Sequence, residues 1–328
     1  MEPAYAVAIA GLTAYASGLS RTADFAAAAY AGHGVGVVAQ ELSGPAIASL
    51  AQAVVDFRTP LFVDSGAYGH FRRRVSPSAA SLDFHAVLRV YDEILDAICA
   101  ANAAEERLPT ALLVMPDVPG DQAASIQVLC AHHGYVSNLI KFPRLARPII
   151  PLHQGRRPLS WVYRDLVQHL GSDHFIVGLP AAEAALSAGV IHELFAHGTP
   201  RAVHVLGALS ERRLRPRIQQ VLAAASAPPG LSADANIVRA RVIRGGSMSA
   251  SQRRAGIIRE LGRPARCQEL EDYLAECGGA GGLQLRFSAS DPNQRRRILR
   301  FLAEAIEATP VAAATRFALR APPLTRAA

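Results

Sequence analysis

The sequence predicts an α/β protein built as a (β/α)8 TIM barrel with an Arg-rich, mainly helical C-terminal extension. Three observations support this prediction. Short apolar runs alternate with longer Ala- and Leu-rich segments along the first 240 residues, eight such runs can be counted, and the alternation stops after Asp234. Such alternation indicates a parallel sheet covered by helices on both faces, and eight repeats favour a closed barrel over an open sheet.

Each predicted strand is an apolar or β-branched run that ends in a polar or Gly-containing turn. The strands are Ala6–Gly11, Val35–Gln40, Leu61–Asp64, Leu112–Asp117, Ile149–Gln154, Phe175–Gly178, Val203–Gly207 and Leu231–Asp234. The segments between them have helical spacing and are long enough for crossover helices: Pro45–Phe57, Ser81–Ala104, Gly120–His132, Leu159–Leu170, Ala181–Ala196 and Glu211–Ser226. Beyond the last strand, Ser247–Gly262 and Asp291–Thr309 are predicted helices.

The chain is predicted to divide into a catalytic barrel, residues 1–245, and a basic extension, residues 246–328. From Arg241 onward there are fifteen Arg, no Lys and eight acidic residues, a difference of +7 that equals the formal net charge of all 328 residues. The first 240 residues are therefore neutral overall. A basic module behind a neutral body indicates a polyanionic partner, because neutralising phosphates releases counterions. The alternative is a solvated, Arg-rich helical surface.

Composition excludes several classes of protein. With 50% hydrophobic and 19% charged residues, the chain is not disordered, collagen-like or a small disulfide-stapled domain. The four cysteines have no metal-binding spacing and form no C-x-x-C pair, which predicts a reduced, cytoplasmic protein. The apolar N-terminal region lacks the basic start of a signal peptide, and no membrane span is predicted.

Polar residues stand at the carboxyl ends of the predicted strands. They are Gln40, Asp64, Asp117, Gln154, Gly178, Gly207 and Asp234. In a (β/α)8 barrel these ends meet at one rim, which is where catalytic groups lie. We therefore expect Asp64, Asp117 and Asp234 to surround one pocket, although any one of them could instead cap a helix or begin a turn.

The residue types at this rim limit its chemistry. Schiff-base chemistry needs a lysine at a strand end, and the only lysine, Lys141, precedes the fifth predicted strand. His153 and His204 fall inside strand runs and are interpreted as core or supporting residues, and a metal site is disfavoured. Carboxylates without metal or lysine suggest reaction at an acetal-like carbon. One carboxylate attacks or stabilises an oxocarbenium-like centre, and a second transfers the proton of the leaving group.

Six segments, in chain order, resemble motifs of the guanine transglycosylase superfamily. They are Val63–Tyr68 (D-S-G on the third strand), Met115–Gln122 (the Asp of the fourth), Pro151–Gly155 (V-Q-G), Val177–Pro180 (G-G-L), His204–Gly207 (L-M-G) and Ser232–Asp234 (the nucleophile strand). The resemblance covers about residues 5–245. The P-D-x-x-G-D-Q form of the second segment is similar to the DNA-modifying branch.

The resemblance implies a pentosyltransferase that replaces guanine in DNA with a 7-deazaguanine base of the preQ0 type through a covalent enzyme–nucleic acid intermediate. It implies that Asp234 is the nucleophile at C1′ and Asp64 the general acid/base. The residues it assigns to the base are Ser65, Gly66, Asp117, Gln154, Gly178 and Leu179.

Two departures keep alternatives open. The zinc site of the tRNA enzymes has no counterpart after the eighth strand, so no cofactor is expected and DNA is favoured over tRNA. Tyr68 and Gly69 replace the family's F-Q pair. A tRNA-guanine transglycosylase-like enzyme and a non-catalytic nucleic-acid-binding relative remain alternatives, and the need for an ATP-dependent partner protein stays open. Phosphate contacts are predicted for Arg72, Arg73, Arg74, Arg295, Arg296 and Arg297, and the alternative is that these side chains only face solvent.

Overall fold

The centre of the molecule is a closed barrel of eight parallel strands that neighbour one another in chain order. The computed structural model describes residues 5, 8, 11–69, 82–102, 108–208, 211–236, 238, 242, 248–260, 276–278 and 285–298. The strands are β1 Thr13–Leu19, β2 Gly34–Val38, β3 Leu61–Asp64, β4 Ala111–Val114, β5 Ala146–Pro151, β6 Ile176–Pro180, β7 Ala202–Leu206 and β8 Gly230–Ala235. Pairing of β1 with both β2 and β8 closes the barrel, and the predicted fold class is confirmed.

The first strand lies later in the chain than predicted. Tyr5 and Ala8 are helical, and β1 is Thr13–Leu19 rather than Ala6–Gly11. Alanine has the highest intrinsic helix propensity, so the Ala-rich run favours a helix despite its hydropathy. Strand propensity depends instead on the packing that a segment finds, and Tyr15, Ala16 and Leu19 are buried in the barrel wall.

Several predicted strands extend past the real ones into the following loop. β2 ends at Val38 and continues into a 3-10 turn, Ala39–Glu41, that contains Gln40. Asp117 and Gln154 likewise stand three residues beyond β4 and β5. The polar residues at these predicted strand ends therefore belong to the βα loops that surround the mouth of the barrel.

Helices cover the outside of the barrel. They are α1 Thr22–Tyr30, α2 Gly44–Phe57, α3 Phe84–Ala101, α4 Gln122–Ala131, α5 His133–Lys141, α6 Leu159–Leu170, α7 Ala188–His197, α8 Glu211–Ala224 and α9 Ala250–Glu260. Because α9 follows β8 and packs against α1, it occupies the place of the eighth crossover helix. The division of the chain at residue 245 stays a prediction.

The barrel interior is filled by apolar and aromatic side chains. They are Tyr15, Phe62, Leu112, Val114, Ile149 and Ile176. The His204 ring stacks on Phe62 among them, with ring centroids 4.8 Å apart and planes 5° from parallel. Since side chains two residues apart on a strand point to the same face, Asp64 lies above Phe62 on the interior side of β3. The interior packing thus forms a solid floor beneath the mouth.

The described residues bear on two predictions, the absence of a membrane span and the presence of reduced cysteines. Among the helices in these ranges, none combines the length and hydropathy needed to cross a bilayer. Cys99, Cys130 and Cys277 are free thiols. Residues 70–81 and 299–328, which contain Arg72, Arg73 and Arg74 and most of the predicted last helix, lie outside the described residues.

Candidate active site

Three carboxylates meet at the C-terminal end of the barrel. Asp64 is the last residue of β3, Asp234 is the last but one of β8, and Asp117 lies in the loop after β4. They are close enough that the charges of Asp234 and Asp117 both raise the pKa of Asp64. The structure therefore brings these three residues to one site from elements far apart in the chain, while their catalytic roles stay predictions.

Asp234 presents two unequal oxygens. The Gly207 N–H donates to Oδ1 at 2.9 Å, and Nε2 of His204 lies 3.2 Å from the same oxygen. Its Oδ2 has no hydrogen-bond partner among the residues that the structure describes. Because Asp234 is buried and Oδ1 is held by two donors, Oδ2 is the oxygen available to a bound substrate.

Asp117 is held by a second histidine in the same way. Nε2 of His153 lies 2.9 Å from Oδ2 of Asp117, and the Gly120 N–H donates to Nδ1 of His153 at 3.3 Å. Because Nδ1 accepts a hydrogen bond, the ring is neutral and its proton is on Nε2, which donates to the carboxylate. The second oxygen of Asp117, Oδ1, is left without a partner within the described ranges.

Asp64 differs from both, since no described histidine touches it. Burial raises the pKa of Asp64 to about 7, and repulsion from Asp234, Asp117 and Glu41 adds to this effect. The Gly66 N–H donates to its Oδ1 at 3.0 Å and partly opposes the increase in pKa. A carboxyl group with a pKa near 7 can both give and take a proton at neutral pH.

Gly66 shapes the turn that carries this hydrogen bond. Its φ is +81°, and a Cβ there would lie 3.1 Å from Cγ1 of Val38 and 3.3 Å from Oε1 of Gln40. Only glycine adopts this backbone conformation without strain, and only glycine leaves room for Gln40. The neighbouring Ser65 is buried, and its Oγ accepts from the Ala67 N–H at 3.3 Å, so its observed contact is within the turn.

Gly178 and Leu179 lie near the carboxyl end of β6. Both lie within β6 and are paired to β7, and the Leu179 side chain is fully buried in the outer core. A Cβ on Gly178 would lie 3.0 Å from Ile149 and 3.1 Å from the Pro151 backbone. The glycine therefore allows close strand packing, and a contact of the backbone N–H groups of Gly178 and Leu179 with a base stays a prediction.

Gln154 is exposed and turned toward the loop after β6. Its Oε1 accepts from the Ser187 N–H at 3.3 Å, at the start of α7. The structure thus shows Gln154 joining two rim loops, while its amide nitrogen makes no hydrogen bond to any described residue. A contact of that nitrogen with substrate stays a prediction.

Gln122 is a supporting residue that the sequence did not reveal. Its Nε2 donates to the carbonyls of His153 (3.1 Å) and Arg157 (3.0 Å), and its Oε1 accepts from the Arg157 N–H (3.1 Å). A Cβ on Gly155 would lie only 2.6 Å from this side chain. Gln122 therefore holds the loop that carries His153. The sequence feature that could have pointed to this role is the glutamine directly after Asp121, the N-cap of α4.

The predicted phosphate-binding arginines differ from one another. Nε and Nη2 of Arg295 donate to the carbonyls of Phe287 (3.0 Å) and Ser288 (2.8 Å), and the guanidinium lies over the Phe287 ring. Two of the donor nitrogens of Arg295 are thus occupied by its own chain, and its assignment to phosphate binding stays a prediction. Arg296 and Arg297 are exposed.

The site has no preformed metal cluster within the part of the chain that is described. No group of three or more His, Cys, Asp or Glu side chains there is arranged to hold a metal ion. The lone Lys141 is exposed at the end of α5. The described rim therefore offers carboxylates, histidines and backbone N–H groups as its chemical resources.

Comparison with known proteins does not support the resemblance to guanine transglycosylases. No protein-family model and no curated protein matches the chain. A solved structure of a dihydrodipicolinate synthase family protein from Coccidioides immitis matches with 16% identity, covering 91% of this chain and 85% of that chain, at a TM-score of 0.36. At this score the likeness does not bear on the chemistry of this chain.

The assignment to the guanine transglycosylase superfamily is therefore wrong, since none of the comparisons finds a member of that superfamily. The physical reason lies in the short motifs. Gly178 is required for strand packing, Gln122 holds a loop, and Gln154 binds the Ser187 backbone. Glycines, acids and amides at βα junctions satisfy needs of barrel architecture, so they recur without common descent.

Proposed function

We propose that the protein is an enzyme that cleaves and re-forms the N-glycosidic bond of a nucleotide unit, with Asp234 as nucleophile and Asp64 as general acid/base. The observation that carries this proposal is the pairing of two unlike carboxyl groups. Asp234 has one oxygen held by two donors and the other turned to no described residue, and its neighbour Asp64 has a pKa of about 7. Two carboxyl groups whose environments separate their protonation states are typical of glycosyl transfer.

The reaction follows from the proton and electron requirements of that bond. Oδ2 of Asp234 attacks C1′ of the sugar, the C1′–N bond breaks, and its electron pair goes to the base nitrogen. Asp64 delivers its proton to the leaving base and becomes a carboxylate. An incoming base then gives a proton back to Asp64 and attacks C1′, which releases Asp234, so the exchange is balanced without a further reactant.

Asp117 supports guanine as the base that leaves. An ionised carboxylate can only accept hydrogen bonds, and the oxygen that His153 does not hold needs N–H donors. The Watson–Crick edge of guanine presents two, the N1–H and the 2-amino group, whereas adenine presents an acceptor at N1. His153 fixes the orientation of this carboxylate, so a guanine or 7-deazaguanine edge fits it better than adenine does.

The specific reaction that we propose is exchange of guanine in DNA for a 7-deazaguanine of the preQ0 type. Support for a nucleic acid comes from the +7 net charge, all of it contributed from residue 241 onward. A duplex base must leave its stack to reach a barrel mouth, at a cost of a few kcal/mol. A tRNA substrate, and a non-catalytic nucleic-acid-binding role, are the alternatives that the experiment must separate.

The test is incorporation of radiolabelled preQ0 into guanine-containing DNA and into tRNA. The variants are Asp234→Asn and, as matched control, Asp96→Asn, which changes an exposed carboxyl on α3. We expect label in DNA, and a denaturation-resistant protein–DNA adduct with wild type and Asp96→Asn but not with Asp234→Asn. Incorporation of label into tRNA alone would show that tRNA, and not DNA, is the substrate. Nucleic-acid binding without label or adduct would favour the non-catalytic role.

A further inference from the structure

We infer that His204 is a positioning residue that divides the two oxygens of Asp234 into a held oxygen and a reacting oxygen. This inference rests on the proposed role of Asp234 as nucleophile. It concerns a residue inside the barrel, beneath the mouth, that does not touch the substrate in the proposed reaction.

The hydrogen bonds of His204 define which of its nitrogens carries the proton. Nε2 lies 3.2 Å from Oδ1 of Asp234, and Nδ1 lies 2.9 Å from Oγ of Ser232. An ionised carboxylate only accepts, so Nε2 must be the donor and Nδ1 of the neutral ring the acceptor. The Ser232 hydroxyl therefore donates to Nδ1, and this bond selects the tautomer that can hold Asp234.

Packing prevents the ring from turning away. His204 is fully buried, its ring stacks on Phe62, and Tyr15 lies 6.1 Å away between ring centroids. A buried ring whose face and both nitrogens are occupied keeps one rotamer. His204 thus sets the direction of Asp234 from below, while the Gly207 N–H holds the same oxygen.

The consequence for reaction is that Oδ1 of Asp234 is held in place and Oδ2 is left for the substrate. Without the His204 donor, the carboxylate would lose one of its two hydrogen bonds and be free to rotate about its Cβ–Cγ bond. Attack would then start from fewer productive orientations.

The test compares His204→Phe with Phe62→Leu. His204→Phe retains an aromatic ring against Phe62 but removes both nitrogens, whereas Phe62→Leu disturbs the same packing and leaves the hydrogen bonds in place. For His204→Phe we expect adduct formation to slow about 100-fold, as for loss of one preorganised donor, with KM nearly unchanged.

Phe62→Leu should retain the wild-type rate of adduct formation even if it lowers stability. If both variants slow adduct formation equally, or neither does, His204 acts only through packing and the inference is overturned. The same holds if His204→Phe raises KM and leaves adduct formation unchanged.

A second measurement separates this inference from the proposed function. Nitrogen-15 NMR of the free protein should show a proton on Nε2 and none on Nδ1 of His204, and Ser232→Ala should weaken that preference. A proton on Nδ1 in the wild type would overturn the inference whether or not the protein exchanges bases. Conversely, a correct tautomer in a protein that forms no adduct would reject the proposed function alone.

Discussion

Replacing Asp64 by Asn should make the protein much more stable at alkaline pH and only slightly more stable at acidic pH. The asparagine has nearly the same shape, and its Oδ1 can still accept from the Gly66 N–H. What it removes is a charge that the folded protein disfavours, because burial and the neighbouring carboxylates raise the pKa of Asp64 from 3.8 to about 7.

The sign and the size follow from proton linkage. Between pH 4 and 7 the folded state binds more protons at Asp64 than the unfolded chain does, so wild-type stability falls as the pH rises and levels off above 7. A difference of about three pKa units corresponds to about 4 kcal/mol. The advantage of Asp64→Asn should therefore be about 4 kcal/mol at pH 8 and about 1 kcal/mol at pH 4.5.

Urea denaturation at the two pH values measures this difference directly. Asp96→Asn is the control, because it makes the same substitution at an exposed carboxyl on α3. A gain of the same size at both pH values, or no gain at pH 8, would show that Asp64 is not held in a disfavoured ionised state. The reasoning about its proton would then fail.

The same group should govern activity in the opposite direction. If Asp64 must deliver a proton to the leaving base, exchange declines above about pH 7 as Asp64 becomes ionised. Asp64→Asn, the more stable protein, should lose base exchange at every pH. If Asp64→Asn keeps the wild-type pH–rate profile, Asp64 is not the general acid/base.

Three further perturbations test the surroundings of the site. Gly66→Ala should lower the free energy of unfolding by about 1–3 kcal/mol, because alanine is strained at φ +81°. Thermal denaturation measures this loss, and an unchanged melting temperature would contradict the prediction. Gln122→Ala should lower the free energy of unfolding by about 2–4 kcal/mol, because it removes three hydrogen bonds and loosens the loop that carries His153. We expect faster amide hydrogen exchange at residues 153–157, and unaltered exchange would contradict the role of Gln122 in holding this loop. Charge removal at Arg296 and Arg297 should reduce the salt dependence of DNA binding by about one unit of log–log slope for each phosphate that the protein no longer neutralises. Removal of Arg295 should mainly lower stability, because its guanidinium donates to the carbonyls of Phe287 and Ser288. The reverse result would identify Arg295 as the phosphate ligand.

Much of the fold could be predicted from the chain because its signals are local. β3 and α6 begin and end at the predicted residues, since each apolar run is bounded by turn residues within a few positions. The first strand could not be found in this way. The Ala-rich run before it resembles a buried strand in hydropathy, and only pairing with β2 and β8 selects Thr13–Leu19.

The candidate site could be predicted in part. Placing Asp64, Asp117 and Asp234 at one rim follows from strand order and the geometry of a closed barrel. The different hydrogen bonds of these three carboxyl groups could not be predicted from the sequence, because the residues that contact them are distant in the chain. His204 reaches Asp234 across 30 residues, and His153 reaches Asp117 across 36.

By itself, the sequence determined the alternation of strands and helices, the closure into eight units and the presence of acids at the strand ends. These properties arise from hydrophobic periodicity and turn chemistry over a few residues, so short segments of the sequence determine them. Only the tertiary structure decided which oxygen of each carboxylate is held, which carboxyl group retains a proton near neutral pH, and which arginine is already occupied. Those properties depend on burial and on hydrogen bonds between strands, and both exist only once the barrel has closed.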